Sequence, residues 1–176
     1  MIEVILWVGL VSVGIYLLIL LYLTIGIIRT DTEVTDKQPS VSVIIAAHNE
    51  DLNITVCLDS ILNQNYPQDK MEIIIVNDRS EDNTGLIIKK YERNHSNIHT
   101  ITINECQDGL SPKKNALSQG IAIANGEIIA TTDADCRASQ QWIKLLSSFF
   151  TPETGMVVGI APLKPTSWWL SPLICI

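Results

Sequence analysis

Val41-Ser-Val-Ile-Ile-Ala-Ala47, followed at once by His48-Asn49-Glu50, is the stretch on which the fold turns. It is short, rich in β-branched side chains and nearly continuous in its apolarity, the pattern of a strand buried on both faces. The abrupt change to polar residues marks the strand's end. Downstream the same unit recurs. Ile54, Cys57, Leu58 and Ile61 fall at i, i+3, i+4 and i+7, which predicts a helix with Asn49 as its cap. Glu72-Ile-Ile-Ile-Val76 predicts a second strand ending at Asn77-Asp78. Thr84, Ile87, Ile88 and Tyr91 stripe a second helix, and Ile98 to Ile103 reads as a third strand. Leu117, Gly120, Ile121 and Ala124 predict the next helix, with Asn125-Gly126 as a left-handed C-terminal cap. Glu127 to Thr132 gives a fourth strand. Trp142, Leu145, Leu146 and Phe149 stripe a further helix ended by Pro152, and Gly155 to Ala161 reads as a fifth strand. Such alternation predicts an α/β fold with a mostly parallel sheet, in which ligands bind beyond the carboxyl ends of the strands.

Working outward, residues 29–39 form a polar linker closed by Pro39, and before it the chain changes character. From Val4 to Ile28 there is no charged residue. That run reaches about 37 Å at helical rise, enough to cross a hydrocarbon core of roughly 30 Å with some tilt. A signal peptide is the competing reading, but the run exceeds an ordinary signal core and lacks both a basic start and a small-residue cleavage site. The expectation is a retained single-pass transmembrane helix over residues 4–28. The flanking charges do not orient it, because Arg29 and Lys37 sit among Asp31, Glu33 and Asp36. A net charge of −7 leaves no electrostatic footprint for nucleic acid. Cys57, Cys106, Cys136 and Cys175 have no metal-ligand spacing and read as unpaired thiols beside apolar stretches.

The strand-end rule directs attention to three polar clusters, His48-Asn49-Glu50, Asn77-Asp78-Arg79-Ser80 and Asp133-Ala134-Asp135. Asp133-Ala134-Asp135 leaves the fourth strand directly, and two carboxylates so spaced can share a hard divalent cation with substrate phosphates; a plain acidic turn is the alternative. Asp78 can accept hydrogen bonds from a base or ribose, while Ser80 or Asp82 could equally cap the following helix. Lys113 and Lys114 open a helix, where ammonium groups and free amides together suit a diphosphate; a solvated basic patch is the other reading. Neither GxGxxG nor GxxxxGK[ST] is present. His48, His95 and His99 read as surface histidines.

Taken together and in order, these strings carry a resemblance. Pro39-Ser-Val-Ser-Val-Ile-Ile-Ala-Ala-His-Asn-Glu50 resembles the first strand of family 2 glycosyltransferases, and Ile74-Ile-Val-Asn-Asp-Arg-Ser-Glu-Asp-Asn-Thr84 the second. Lys113-Lys-Asn-Ala-Leu-Ser-Gln-Gly-Ile121 resembles that family's lysine-containing helix start, and Thr132-Asp-Ala-Asp135 its DxD element. The match spans residues 39–161. It implies a GT-A fold, with a Rossmann-like, mostly parallel sheet over residues 40–165. It also implies a membrane-anchored hexosyltransferase of cell-envelope polysaccharide synthesis, moving a sugar from a UDP-linked or similar nucleotide-sugar to a glycan, lipid or polysaccharide acceptor with inversion. Ala47 and Glu50 would line the nucleotide pocket, Asp78 would hold the base and Lys113 would lie near the nucleotide. Asp133 would lie near the ribose and sugar, and Asp135, with Asp133, would bind Mg²⁺ or Mn²⁺. Since nucleotide-sugars are cytoplasmic, the domain would face the cytoplasm.

Two departures from the family pattern stand out. Pro112 and Ser118 occupy positions where glycine and asparagine are frequent, and the family's downstream acidic base and Gln/Arg-x-x-Arg-Trp motif have no counterpart here. Glu153 is the one acid after Asp135, and residues 166–176 are an apolar start without a polar close. The chain therefore reads as the donor-binding half of such an enzyme, with its general base outside it. A membrane-tethered, non-catalytic nucleotide-binding module is the alternative. A nucleotidyltransferase would normally bring a glycine- and arginine-rich loop after the first strand, and Ala46 to Asp51 is not one.

Overall fold

The computed structural model describes residues 2–28, 34–105 and 109–159. Helix α1 (Ile2–Ile28) forms one unit, and the chain from Val34 onward forms another. Within α1, Leu6–Ile25 is long and apolar enough to cross a membrane. The hydroxyls of Ser12 and Thr24 donate to the carbonyls of Val8 and Leu20, both at 2.8 Å, so these two polar side chains are satisfied inside the helix itself.

The second unit is built on four strands: β1 (Val41–Ala47), β2 (Met71–Asp78), β3 (Ile98–Ile103) and β4 (Ile128–Asp133). Their spatial order is β3-β2-β1-β4, and each neighbouring pair is parallel. Between them run α2 (Ile54–Leu62), α3 (Thr84–Asn94) and α4 (Pro112–Ile123), and α5 (Trp142–Ser148) follows β4. Alternation along the strands separates two cores. Val43, Ile45, Ile73 and Ile75 face α2, α3 and α5 through Ile54, Leu58, Ile88 and Ile143. Ile44, Ile74 and Val76 face α4 through Ala116. Crossovers between parallel strands are right-handed. The chain steps outward from β1 to β3 and then returns past β1 to β4, so its direction of travel reverses and α4 is carried to the opposite face.

Several expectations change in detail. Asn49 does not cap α2; the helix starts behind Asn53, and Asn49 takes a left-handed φ of 55°. The α4 face is Asn115, Ala116 and Gly120, while Ile121 is exposed. The reason is close approach: a Cβ on Gly120 would lie 2.6 Å from the Ile44 side chain, so small residues decide which side meets the sheet. Likewise α5 buries Ile143 and Ser147 and leaves Leu145 exposed. Residues 155–159 form no strand among the described residues, and Met156 and Val158 are exposed there; residues 160–161 of the expected fifth strand lie outside the description.

Gly126 is not a left-handed cap. Among the described glycines only Gly109 has positive φ, and α4 ends at Ala124 in extended conformation. Gly126 is instead required where the chain enters β4, because a Cβ would lie 2.4 Å from the Ser42 backbone nitrogen and 2.8 Å from the Val41 carbonyl carbon. Its N–H donates to Ser42 Oγ at 2.7 Å, and the Ser42 hydroxyl donates to Glu72. Glu72 also accepts from the Asn125 amide at 2.6 Å. Partial burial pushes the Glu72 carboxyl up, but these hydrogen bonds outweigh it and leave the group below its ordinary value.

Two outcomes follow for the full chain in detergent. Gly126→Ala should lower unfolding stability by about 1–3 kcal/mol, read by denaturant titration, because backbone atoms cannot give way as a side-chain tip can. A depressed carboxylate stabilises above its unfolded pKa, and that contribution is lost as pH falls through the folded value. Wild type should therefore exceed Glu72→Gln in stability at neutral pH, and the gap should close as pH drops below about 4.5. A gap that widens in acid would contradict the network.

Candidate active site

The carboxyl ends of the strands meet where the strand order reverses, between β1 and β4. Ala46 of β1 sits in register with Asp133 of β4. Beyond this point opens a cavity of about 360 Å³. Six residues singled out from the sequence line it: Ala47, Glu50, Asp78, Lys113, Asp133 and Asp135. They come from the ends of three strands and the start of α4, elements far apart in sequence and joined only by the sheet. Lys114, one residue along, is exposed and lies off the cavity.

On the β1–β2 side the cavity wall is two stitched loops. Glu50 N–H donates to Thr84 Oγ1 at 2.8 Å and Asp51 N–H to Asp82 Oδ2 at 3.1 Å. In return Glu81 N–H donates to Asn49 Oδ1 at 2.8 Å. Asp82 thus serves two loops: its other oxygen accepts from Thr84 N–H at 2.9 Å. What desolvation it feels raises the Asp82 pKa, but the Thr84 and Asp51 donors outweigh it and hold the group below its ordinary value.

Asp78 ends β2 almost fully buried, at 4% exposure. Arg79 meets it through two hydrogen bonds, Nε to Oδ1 at 2.8 Å and Nη2 to Oδ2 at 3.2 Å. Arg79 adopts a left-handed φ of 53°, an uncommon conformation for a side chain of that size, and its own N–H donates to Ile103 O at 3.1 Å. His48 Nδ1 lies 2.6 Å from the Asp78 carbonyl oxygen. A carbonyl only accepts, so Nδ1 carries the proton and the ring ties the end of β1 to the end of β2.

Across the cavity Lys113 Nζ lies 2.6 Å from Asp133 Oδ1. The carbonyl of Asp133 accepts from Cys136 N–H at 3.1 Å and from the Cys57 thiol at 3.5 Å, which fixes the turn that carries Asp135. Burial, then Cys136 and the acids Asp135, Asp133 and Glu50, push the Cys57 thiol up to about 12. It stays protonated and packs in the core beside Ile54 and Leu58. Cys57 and Cys136 are both free; Cys106 and Cys175 lie outside the described residues.

His48, Arg79, Pro112 and Ala116 also line the cavity, and the sequence gives none of them a site role. His48 and Arg79 each stand next to a candidate, directly past a strand end, and that position was the available signal. Glu153 is exposed in a turn after α5 and does not line the cavity. Among the described residues no three His, Cys, Asp or Glu side chains form a metal cluster. The donor set fits a cation held jointly with substrate: Asp133 and Asp135 both face the cavity, and Mg²⁺ or Mn²⁺ commonly takes one or two carboxylates plus phosphate oxygens.

Residues 42–173 match the model of the family described as glycosyl transferase family 2. Bacillus subtilis YdaM, named as a probable glycosyltransferase, is 40% identical over 123 residues, covering 69% of this chain and 29% of that protein. Haloferax volcanii glycosyltransferase AglE is 36% identical over 110 residues, 62% of this chain and 35% of its own length. The chain thus spans about a third of these relatives. Among solved structures, the mannosyltransferase PcManGT from Pyrobaculum calidifontis, in complex with GDP-Man and Mn²⁺, superposes with a TM-score of 0.66 at 26% identity. That match covers 78% of this chain and 41% of the mannosyltransferase. S. aureus TarS in complex with UDP-GlcNAc gives 0.51 at 30% identity, over 61% of this chain and 30% of its own. By its sheet, its strand-end site and its sequence, this chain belongs to glycosyl transferase family 2.

Proposed function

We propose that this chain binds the donor for a hexosyltransferase that moves a sugar from a nucleoside diphosphate to a glycan, lipid or polysaccharide acceptor, with inversion. The observation that carries the reading is the charge and place of one cavity. It lies at the strand-order reversal, where open α/β sheets bind nucleotides. Its lining holds four acids, Glu50, Asp78, Asp133 and Asp135, against two cations, Arg79 and Lys113. That balance repels a diphosphate on its own and suits one that arrives with a divalent cation.

Position in the cavity supports the following roles. Asp78, buried and oriented by Arg79, accepts an N–H from the base. Ala47 and Glu50 border the nucleoside, Ala47 admitting it by its small size. Lys113 and the amides of the first α4 turn attract the diphosphate, since a helix N-terminus adds its dipole to the ammonium charge. Asp133 and Asp135 hold Mg²⁺ or Mn²⁺, which when bound offsets charge developing on the leaving nucleoside diphosphate. The bound ligands named for PcManGT and TarS, GDP-Man with Mn²⁺ and UDP-GlcNAc, support this choice of donor class and metal. Leu6–Ile25 supports a membrane-anchored protein, with the domain on the cytoplasmic side where nucleotide-sugars are made.

Calorimetry with UDP tests the site. Binding should strengthen with Mn²⁺ or Mg²⁺ and weaken with chelator; Asp135→Ala should abolish the metal effect. Asp78→Ala should weaken binding by roughly tenfold or more with or without metal, the worth of a charge-assisted hydrogen bond. Equal binding by wild type and Asp135→Ala would remove the metal assignment. For topology, a membrane-impermeant protease should leave the domain intact in whole cells and digest it after lysis; digestion before lysis would reverse the orientation.

A further inference from the structure

Lys113 and Asp133 belong to elements brought together by this cavity, the first turn of α4 and the end of β4. Their charged atoms are 2.6 Å apart, yet the side chains remain 62% and 53% exposed. Asp135 faces the same cavity and makes no ion pair among the described residues. An ion pair this open to water is weak and easily exchanged. Both of its members have a stronger partner in prospect. A divalent cation at Asp133 and Asp135 competes with the ammonium for one carboxylate. A diphosphate at the α4 N-terminus competes with that carboxylate for the ammonium.

We propose that Lys113 couples metal binding to donor binding by exchanging partners. In the empty site its ammonium occupies Asp133 and holds down affinity for a free cation. An incoming diphosphate draws the ammonium away, and Asp133 becomes available to the metal. Metal and diphosphate therefore bind together better than either binds alone, and by linkage each raises the affinity for the other by the same factor. This rests on the nucleotide-sugar reading above and adds to it an energetic role for Lys113 when no donor is present.

The test is Mn²⁺ binding to the full chain in detergent at low ionic strength, followed by electron paramagnetic resonance with and without UDP. Lys113→Gln should bind Mn²⁺ alone more tightly than wild type, by about threefold for so exposed a pair. The further gain from UDP should shrink in that variant. The difference from wild type should fade in high salt, because screening weakens the pair. Lys114→Gln removes the same charge one residue away, off the cavity, and should leave Mn²⁺ affinity at the wild-type value. Unchanged or lower Mn²⁺ affinity in Lys113→Gln would overturn the proposal. So would an equal rise in Lys114→Gln, which would reduce the effect to net charge. Wild type that binds neither Mn²⁺ nor UDP would remove the nucleotide-sugar reading itself. Cooperative Mn²⁺ and UDP binding that persists in Lys113→Gln would remove only the exchange.

Discussion

The central place of β1, paired in parallel on both sides, is the constraint from which the rest of the molecule follows. β2 and β3 lie to one side of it and β4 to the other. With right-handed crossovers, that order requires α2 and α3 on one face and α4 on the opposite face. The loop leaving β1 therefore runs to one face while the start of α4 stands on the other, and a gap opens between them at the carboxyl edge. The cavity is that gap. Its shape is a consequence of topology before any side chain is considered.

Close packing then sets the precision of the gap. α4 approaches the sheet through Ala116 and Gly120, and a Cβ at Gly120 would strike Ile44. Since Lys113 stands about two turns before Gly120 in the same helix, the glycine that allows the helix to seat also helps set where the ammonium reaches Asp133. At the amino edge Gly126, Ser42, Glu72 and Asn125 fasten β4 to β1 and β2 through hydrogen bonds. Glycine there answers a steric demand of the neighbouring backbone. The two ends of the sheet thus divide the work: the amino edge is locked by a satisfied polar network, and the carboxyl edge carries charge.

That charge is arranged in pairs that differ in burial. Asp78 is buried and doubly hydrogen-bonded to Arg79, whose own side chain is 37% exposed, so the carboxylate is held for a contact that must stay in one orientation. Lys113 with Asp133 is exposed and held by one short contact, suited to exchange. A recognition element and a mobile charge need these opposite environments, because desolvation strengthens a fixed pair while water lowers the cost of swapping partners.

The sequence by itself determined the alternation of strands and helices, the existence of α1 and the six residues that meet at the cavity. Apolar runs such as Ile73 to Val76 admit only burial on two faces, and strand-end acids in a parallel sheet have one edge to occupy. It determined the inward side of α4 and α5 only in part: Leu117, Gly120, Ala124, Trp142 and Leu146 do pack on the core, but Ile121 and Leu145 are exposed. Hydrophobicity favoured Ile121 and Leu145, whereas close approach to the Ile44 side chain seats α4 on Gly120 and the shared core takes Ile143 of α5. Nor could periodicity show that Asn49 and Arg79 would take left-handed backbones, since those follow from hydrogen bonds between loops some thirty residues apart. Residues 155–159 were apolar enough for a strand, but a strand is made by its neighbour, and among the described residues they pair with none. Local pattern records what each residue prefers, and only the tertiary structure decided which preferences could be met together, because packing density and backbone hydrogen bonding are properties of contacts and not of single positions.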